Sequence, residues 1–174
     1  MTRHPFSLEE WMVTHPRWQE LVSLMEAEGQ GYYRQQEAYF IQFQHYFLVA
    51  AQVDELVGFL QFFLQPIGSD RNCPSLSLDG KVLIEAKILA FAVRKDWRRQ
   101  GIGIALQQRA ITRARELGCY QLRSYSSNTS EHEANYQLKL AMGFAAQPEF
   151  RDEKNTGVNF LIPLHPARAC IITP

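Results

Sequence analysis

Cysteine is scarce and scattered. Three stand in 174 residues, Cys73, Cys119 and Cys170, with no C-x-x-C pair among them. An odd, dispersed set supplies neither a zinc ribbon nor a thioredoxin-like motif, and no metal is expected. It also argues against a disulfide framework, so a reducing compartment is the simplest inference. An excess of one charge is missing too. Eighteen Lys and Arg against 18 Asp and Glu leave a formal net charge of zero. A domain built to grip nucleic acid usually carries a marked basic excess, so that class is disfavoured. The longest apolar runs, such as Tyr46–Ala51, fall far short of the ~20 residues that span a bilayer. Met1–Glu10 carries acids and a proline and has no apolar core, so it does not read as a secretory leader. The expectation is a cytoplasmic protein without membrane association.

What is present suits an ordered domain. The chain is 46% hydrophobic, 12% aromatic and 21% charged, whereas disordered chains are apolar-poor and highly charged. One domain over 1–174 is expected: a helical region at 1–36, a core at 40–163 and a tail at 164–174. Ser7-Leu8-Glu9-Glu10 has the form of a capping box and predicts a helix through Trp11. Trp18, Leu21, Val22 and Met25 repeat at helical spacing, predicting a helix over 16–28 that Gly29 and Gly31 end. Runs at 40–51 and 56–65 flank a short polar turn and read as an antiparallel hairpin. Residues 66–80 read as a long loop and 81–93 as a third strand. A helix is expected over 101–117, ended by Gly118, then a strand over 119–126. Ser130-Glu131-His132-Glu133 is a second capping box, opening a helix that Gly143 closes. Two last strands are expected at 145–148 and 159–163. This order gives an α/β fold with a mixed sheet.

The informative segment is Val93-Arg94-Lys95-Asp96-Trp97-Arg98-Arg99-Gln100-Gly101-Ile102-Gly103, between a strand and a helix. Glycine lets backbone come close to a ligand. The first N–H groups of a helix have no internal partners and sit at the positive end of its dipole. Together they make a phosphate cradle, with Arg98 and Arg99 at the rim. Two better-known phosphate loops do not match. There is no G-x-x-x-x-G-K-[ST], and the third glycine of a dinucleotide fingerprint is replaced by Leu106. The competing reading is a tight turn into a helix.

The stretch resembles the acyl-coenzyme A loop of the GNAT family of N-acetyltransferases: a strand ending in Val, a polar loop with an aromatic (Trp97), then R/Q-x-x-G-x-G/A at Arg98, Gly101 and Gly103. Leu138-Lys139-Leu140-Ala141-Met142-Gly143-Phe144 resembles the family's helix ending in Gly-Phe. The element order from 40 to 163 agrees, and the likeness is weak before residue 36. The resemblance implies a mixed sheet with flanking helices and a splayed pair of central parallel strands. It implies that the pyrophosphate of acetyl-coenzyme A sits on the backbone N–H groups from Arg99 through Gln100, Gly101, Ile102 and Gly103 to Ile104. The pantetheine would lie along Phe91, Ala92 and Val93, with a backbone N–H near Val93 polarising the thioester. The implied reaction is acetyl transfer to a primary amine by direct attack in a ternary complex.

The match breaks where proton transfer is concerned. A free alkylamine is neutral only about once in 2,500 molecules at pH 7, so a base helps. The family's Glu, six residues before the Val, is Lys87 here. Glu85 lies about 6.6–6.8 Å from it along a strand and could act through water, or could simply be paired with Lys87 or solvated. The family's Tyr, four residues before Gly-Phe, is Lys139. Tyr136 lies three residues earlier on the same helix face, so either could face the sulfur, and either could be structural. Lys139 could also contact the cofactor. The family's helix-head Asn falls at His132, and Asn128 could bond the pantetheine instead. Trp11, Trp18, Tyr32 and Tyr33 could line the acceptor side. His45 reads as structural, the phenylalanines of the hairpin as core, and Cys119 as buried and inert. Two rivals remain open: an acyl-coenzyme A-binding or interaction module without catalysis, and nucleic-acid binding through Arg94, Lys95, Arg98, Arg99, Arg109, Arg113 and Arg115. The acceptor is unidentified and a homodimer is left open.

Overall fold

The sheet grows outward from one hairpin. Strand β2 (His45–Ala51) and strand β3 (Leu56–Pro66) pair antiparallel, His45 opposite Phe63 and Val49 opposite Phe59. Both are rich in aromatic and other large apolar side chains, which suit a pleated surface buried on both faces. The computed structural model describes residues 6–31, 42–53, 55–69, 73–127, 133–152 and 155–165. Around the hairpin stand β1 (Ser7–Trp11), helix α1 (Trp18–Ala27), a short hairpin of β4 (Ser77–Leu78) and β5 (Lys81–Val82), and β6 (Ile84–Val93). They are followed by helix α2 (Ile102–Glu116), β7 (Gln121–Ser127), helix α3 (Glu133–Ala141), β8 (Ala145–Asp152) and β9 (Asn155–Pro163). The seven-stranded sheet has the order β1-β2-β3-β6-β7-β9-β8. Its one parallel pair among the described strands is β6 with β7.

The sheet separates two apolar layers. On one face Leu21, Leu24 and Met25 of α1 pack on Val49, Phe59, Phe63, Leu89 and Ala90. On the other, Ile102, Leu106, Ala110, Ile111 and Ala114 of α2 pack on Leu48, Leu60, Phe62, Ala86, Ile88 and Leu122. Burying each such side chain contributes roughly 1.5–3 kcal/mol.

Several expected elements differ. Ser7–Trp11 is an edge strand rather than a capped helix. Ser7 Oγ donates to Glu9 Oε1 at 2.7 Å, and the segment pairs Ser7 with Ala51 and Trp11 with Phe47. Trp11 is buried against α1's layer, so long-range pairing outweighs the local cap. The strand expected over 81–93 breaks at Leu83, whose N–H donates to Leu76 O at 2.8 Å, and residues 66–80 contain β4. β7 begins at Gln121 rather than at Cys119, and β8 and β9 form a longer hairpin than expected. The helix over 101–117 lies where expected. Gly118 after it has φ +77° and Gly143 after α3 has φ +85°, the left-handed conformation that glycine adopts without cost.

One irregularity shapes the centre. β3 and β6 change register between Gln61 and Phe62, and Leu89 is the extra residue. Before it, Ala86 and Ile88 face α2. After it, Phe91 and Val93 do, while Leu89 and Ala90 both join α1's layer. A bulge of this kind bends and twists its strand. The pairing of β6 with β7 runs only from Glu85↔Gln121 to Ile88↔Ser124. Beyond the bulge the two strands part, leaving 89–93 of β6 without a neighbour on that side among the described residues.

Candidate active site

The parted end of β6 runs straight into the cradle. Val93 is followed by a 3₁₀ turn at Lys95–Trp97, closed by Trp97 N–H donating to Arg94 O at 2.9 Å. Trp97 packs against α2's layer and anchors the loop. Arg99 has φ +64° and Gly101 φ +88°; Gly101 stands at the N-cap of α2, and a Cβ there would point into open space. Gly103 is different. A Cβ on it would lie 3.3 Å from Phe91 Cζ, 3.6 Å from Leu138 Cδ2 and 3.8 Å from Val93 Cγ2. So α2, α3 and the parted end of β6 meet at Gly103. The result is a run of free backbone donors on a glycine-flanked helix start, beside an unpaired strand end.

The arginines are less available than the sequence implies. Arg98 Nε donates to Val93 O at 2.8 Å and its Nη2 reaches Glu28 Oε2 at 3.2 Å. It straps the loop to the end of α1. Arg94 pairs with Glu55, Arg113 with Glu10 at 2.9 Å, and Arg109 with Glu116 at 3.3 Å. The basic face proposed for nucleic acid is thus largely neutralised by carboxylates. Arg99 is exposed, and the Ile104 side chain is too, at 55%.

A family profile described as the acetyltransferase (GNAT) family matches residues 8–139, well over half of the chain. The chain belongs to the GNAT family. Solved structures agree on the fold. A ribosomal-protein-S18-alanine N-acetyltransferase from Escherichia coli has a TM-score of 0.61 at 15% identity, covering 97% of this chain and 100% of its own. A Bacillus subtilis acetyltransferase in complex with CoA has 0.62 at 18%, covering 92% and 100%. The Arabidopsis thaliana NAA60 in complex with acetyl-CoA has 0.63 at 14%, covering 90% and 96%. No curated protein sequence matches the chain.

Within this GNAT domain the proton-transfer candidates have definite surroundings. Glu85 is 1% exposed and does not stand free beside Lys87. Gln65 Nε2 donates to its Oε1 and Gln121 Nε2 to its Oε2, both at 2.7 Å, and Arg123 Nη2 donates to Oε1 at 2.6 Å. Gln65 and Gln121 are its register partners on either side, so three strands close around the carboxylate just below the point of parting. Lys87 sits with its Nζ 5.9 Å from the Phe63 ring centre. Tyr136 donates its hydroxyl to Ser126 O at 3.2 Å and Ser127 O at 3.0 Å, and packs edge-on to Phe160. Burial, and then the neighbouring Tyr125, raise its pKa. The phenol ties α3 to the end of β7.

Lys139 is neither solvated nor at the cradle's rim. It is 1% exposed on α3. Its Nζ donates to Oε1 of Gln107, a residue buried on α2, at 3.2 Å, and lies 4.8 Å from the Phe144 ring centre. Burial drives its pKa from 10.5 down to about 7. Gln107 Nε2 is buried without a partner among the described residues. Asn128, His132, Tyr32 and Tyr33 lie outside the described residues. Trp11 stacks on His15 and Trp18 packs edge-on to Phe47, while His45 meets Gln61 through Nδ1 at 3.2 Å. Cys119 is buried, and burial raises its thiol to about 11. Among the described residues no group of three or more His, Cys, Asp or Glu is placed to hold a metal, and no helix is long and apolar enough to cross a membrane.

Sequence reasoning missed Gln107, Arg123, Gln65, Gln121 and the bulge at Leu89. Gln107 carried a signal: it is a polar residue in phase with the apolar face formed by Ile102, Leu106, Ala110 and Ile111.

Proposed function

We propose that this protein transfers an acetyl group from acetyl-coenzyme A to a primary amine. The observation that carries the reading is the junction at Gly103, where the glycine-flanked start of α2 abuts the parted end of β6. A diphosphate needs convergent N–H donors without side chains in the way, and a pantetheine arm, with its two amides, needs an unpaired strand edge. Both are present within one loop, so the residues fit an acyl-coenzyme A. The N–H groups of Arg99, Gln100, Gly101, Ile102, Gly103 and Ile104 hold the diphosphate. Phe91, Ala92 and Val93 offer the strand edge, and Asn128 offers a further amide. Arg98 holds the loop through Val93 O.

The family assignment and the complexes of related folds with CoA and acetyl-CoA support the donor. For the acceptor, an N-acetyltransferase among the similar structures supports an amine. We assign Glu85 an anchoring role. Both of its oxygens are engaged and it is sealed from solvent, so no amine reaches it; the proton of the attacking amine passes to water. Arg123 keeps that anchor neutral overall. The same locked state of Glu85 and the engaged hydroxyl of Tyr136 favour one rival, a binding module without turnover.

Calorimetry with acetyl-coenzyme A, followed by a screen of amine classes read by thiol release, separates the readings. Binding with turnover on any amine supports transfer. Binding with no turnover on any class supports the binding module, and no binding overturns both.

A further inference from the structure

The register of β3 with β6 decides which backbone groups open on the gap. Val93 stands opposite Gly58, yet it is the Arg94 N–H that donates to Val57 O, at 3.0 Å. That is the pattern of a non-hydrogen-bonded antiparallel pair, so Val93 turns its own N–H and C=O away from β3. Phe91, two residues earlier and already past the bulge, turns its own the same way. β7 has parted before this height, its last pair with β6 being Ile88 with Ser124. The N–H and C=O of Phe91 and of Val93 therefore face the gap. All but one of these groups lack a strand partner among the described residues. The exception is the Val93 oxygen, to which Arg98 Nε donates at 2.8 Å, while Nη2 of the same guanidinium reaches Glu28 Oε2 at 3.2 Å. The Arg98 side chain is 55% exposed, so this contact is made at an open mouth and not in a sealed interior.

We propose that Arg98 is a positioning residue for the acyl donor: by capping Val93 O it ends the open strand edge and fixes the register of the pantetheine arm along β6. The inference rests on the donor assignment made above. An arm with two amides can pair with an open edge in more than one frame, because gap-facing groups repeat every second residue, about 6.6–6.8 Å. A frame that uses Val93 O needs an amide N–H where the guanidinium stands. A hydrogen bond from a charged donor is roughly twice as strong as one from a neutral amide, so the arm does not readily replace it. The frame that remains takes the N–H and C=O of Phe91 for the arm and leaves the Val93 N–H for the thioester carbonyl. Slippage by one frame carries that carbonyl away from its donor. The cap needs only the Nε of Arg98. The bond from Nη2 to Glu28, which follows the last turn of α1, is a separate tie between the loop and that helix.

Two substitutions separate the cap from the tie. Glutamine carries its Nε2 at the same place along the side chain as arginine carries Nε, so Arg98→Gln keeps a donor for Val93 O and loses the reach to Glu28. Arg98→Met puts a methyl group at that place and keeps neither contact. Acetyl-coenzyme A labelled with ¹³C at the acetyl carbonyl is bound to each full chain with no amine present, and its carbonyl stretch is read by difference infrared spectroscopy. The unaltered protein and Arg98→Gln should show one band, shifted down from that of the free thioester. Arg98→Met should lose that shift or divide the band, while its affinity for ADP, which has the diphosphate but no arm, stays unchanged by calorimetry. With an amine that is turned over, kcat of Arg98→Met should fall on the order of 10²-fold while KM for acetyl-coenzyme A hardly moves. An unshifted band in the unaltered protein, or the same shifted band in Arg98→Met, would overturn the inference and leave the donor assignment standing. So would an equal loss of the shift in both variants, which would reduce Arg98 to its tie with Glu28, and so would a loss of ADP affinity in Arg98→Met, which would make it a support of the cradle. Absence of acetyl-coenzyme A binding to the unaltered protein would overturn both.

Discussion

Replacing Lys139 by Met should stabilise this protein, and should do so most at neutral and acid pH. The side chain is 1% exposed, and burial lowers its pKa from 10.5 to about 7. At 1.36 kcal/mol per pKa unit, that fall costs the folded protein about 5 kcal/mol whenever the unfolded chain holds the proton and the site resists it. This figure is a ceiling. Met gives up the hydrogen bond to Gln107, about 1 kcal/mol, and leaves a buried amide unpaired, about 1–3 kcal/mol. A net gain of about 2 kcal/mol remains, equivalent to about 4–8 °C in Tm for a domain of this length.

The pH dependence separates this cause from improved packing. Between pH 7 and 10.5 the unfolded chain binds one proton more than the folded chain at this residue, so wild-type stability rises with pH across that window. Below pH 7 both states are protonated and the penalty is constant and complete. Met has nothing to titrate. The advantage of the variant should be largest below pH 7 and shrink towards pH 10.5, turning into a deficit of about 3 kcal/mol from the lost hydrogen bond and the unpaired Gln107 amide. Urea unfolding of both proteins at several pH values in that window measures it. Equal pH slopes in the two proteins, or a variant less stable at every pH, would refute the argument.

The remaining expectations concern the cradle and the two tied groups. Glu at Gly101 places a carboxylate at the start of α2, in a left-handed conformation that strains any side chain. Acetyl-coenzyme A affinity should collapse by calorimetry while circular dichroism shows a folded protein. Glu85→Gln leaves Arg123 buried and charged without its partner, which should cost about 3–5 kcal/mol in urea unfolding. If turnover is found, kcat measured on the folded fraction should not acquire a new pH limb. Tyr136→Phe loses the bonds to Ser126 and Ser127 and should cost about 1 kcal/mol, with acetyl-coenzyme A affinity unchanged.

Much of the scaffold could be read in advance because its cues are local. The helix over 102–116 follows from the spacing of Ile102, Leu106, Ala110 and Ala114, and its end from Gly118. The hairpin follows from two apolar runs around Gln52–Glu55. Ser7–Glu10 misled for the opposite reason. Its cap-like pattern is local, but its fate is decided by pairing with residues about forty positions away. The cradle was legible because its glycines are adjacent in sequence. The surroundings of Glu85 were not, because Gln65 comes from β3 and Gln121 and Arg123 from β7, two segments far from Glu85 in sequence that only the sheet brings to it.

The bulge at Leu89 shows how one residue can place a site. Side chains alternate along a strand, so one extra residue exchanges the two faces for everything after it. With Ala86 and Ile88 towards α2, an unbroken strand would turn Phe91 and Val93 towards α1. They face α2 instead, where Gly103 receives them. The same insertion ends the pairing of β6 with β7 at Ile88. The clamp on Glu85 lies on the paired side of that point and the strand edge beside the cradle on the unpaired side. A buried ion pair so close to the parting contributes less through net stability, which its desolvation largely offsets, than through the register it holds. Slippage of β7 by one residue would break the contacts of Gln121 and Arg123 with Glu85 and move the gap relative to Gly103. The clamp thus fixes where the strands part, and the bulge fixes that they do.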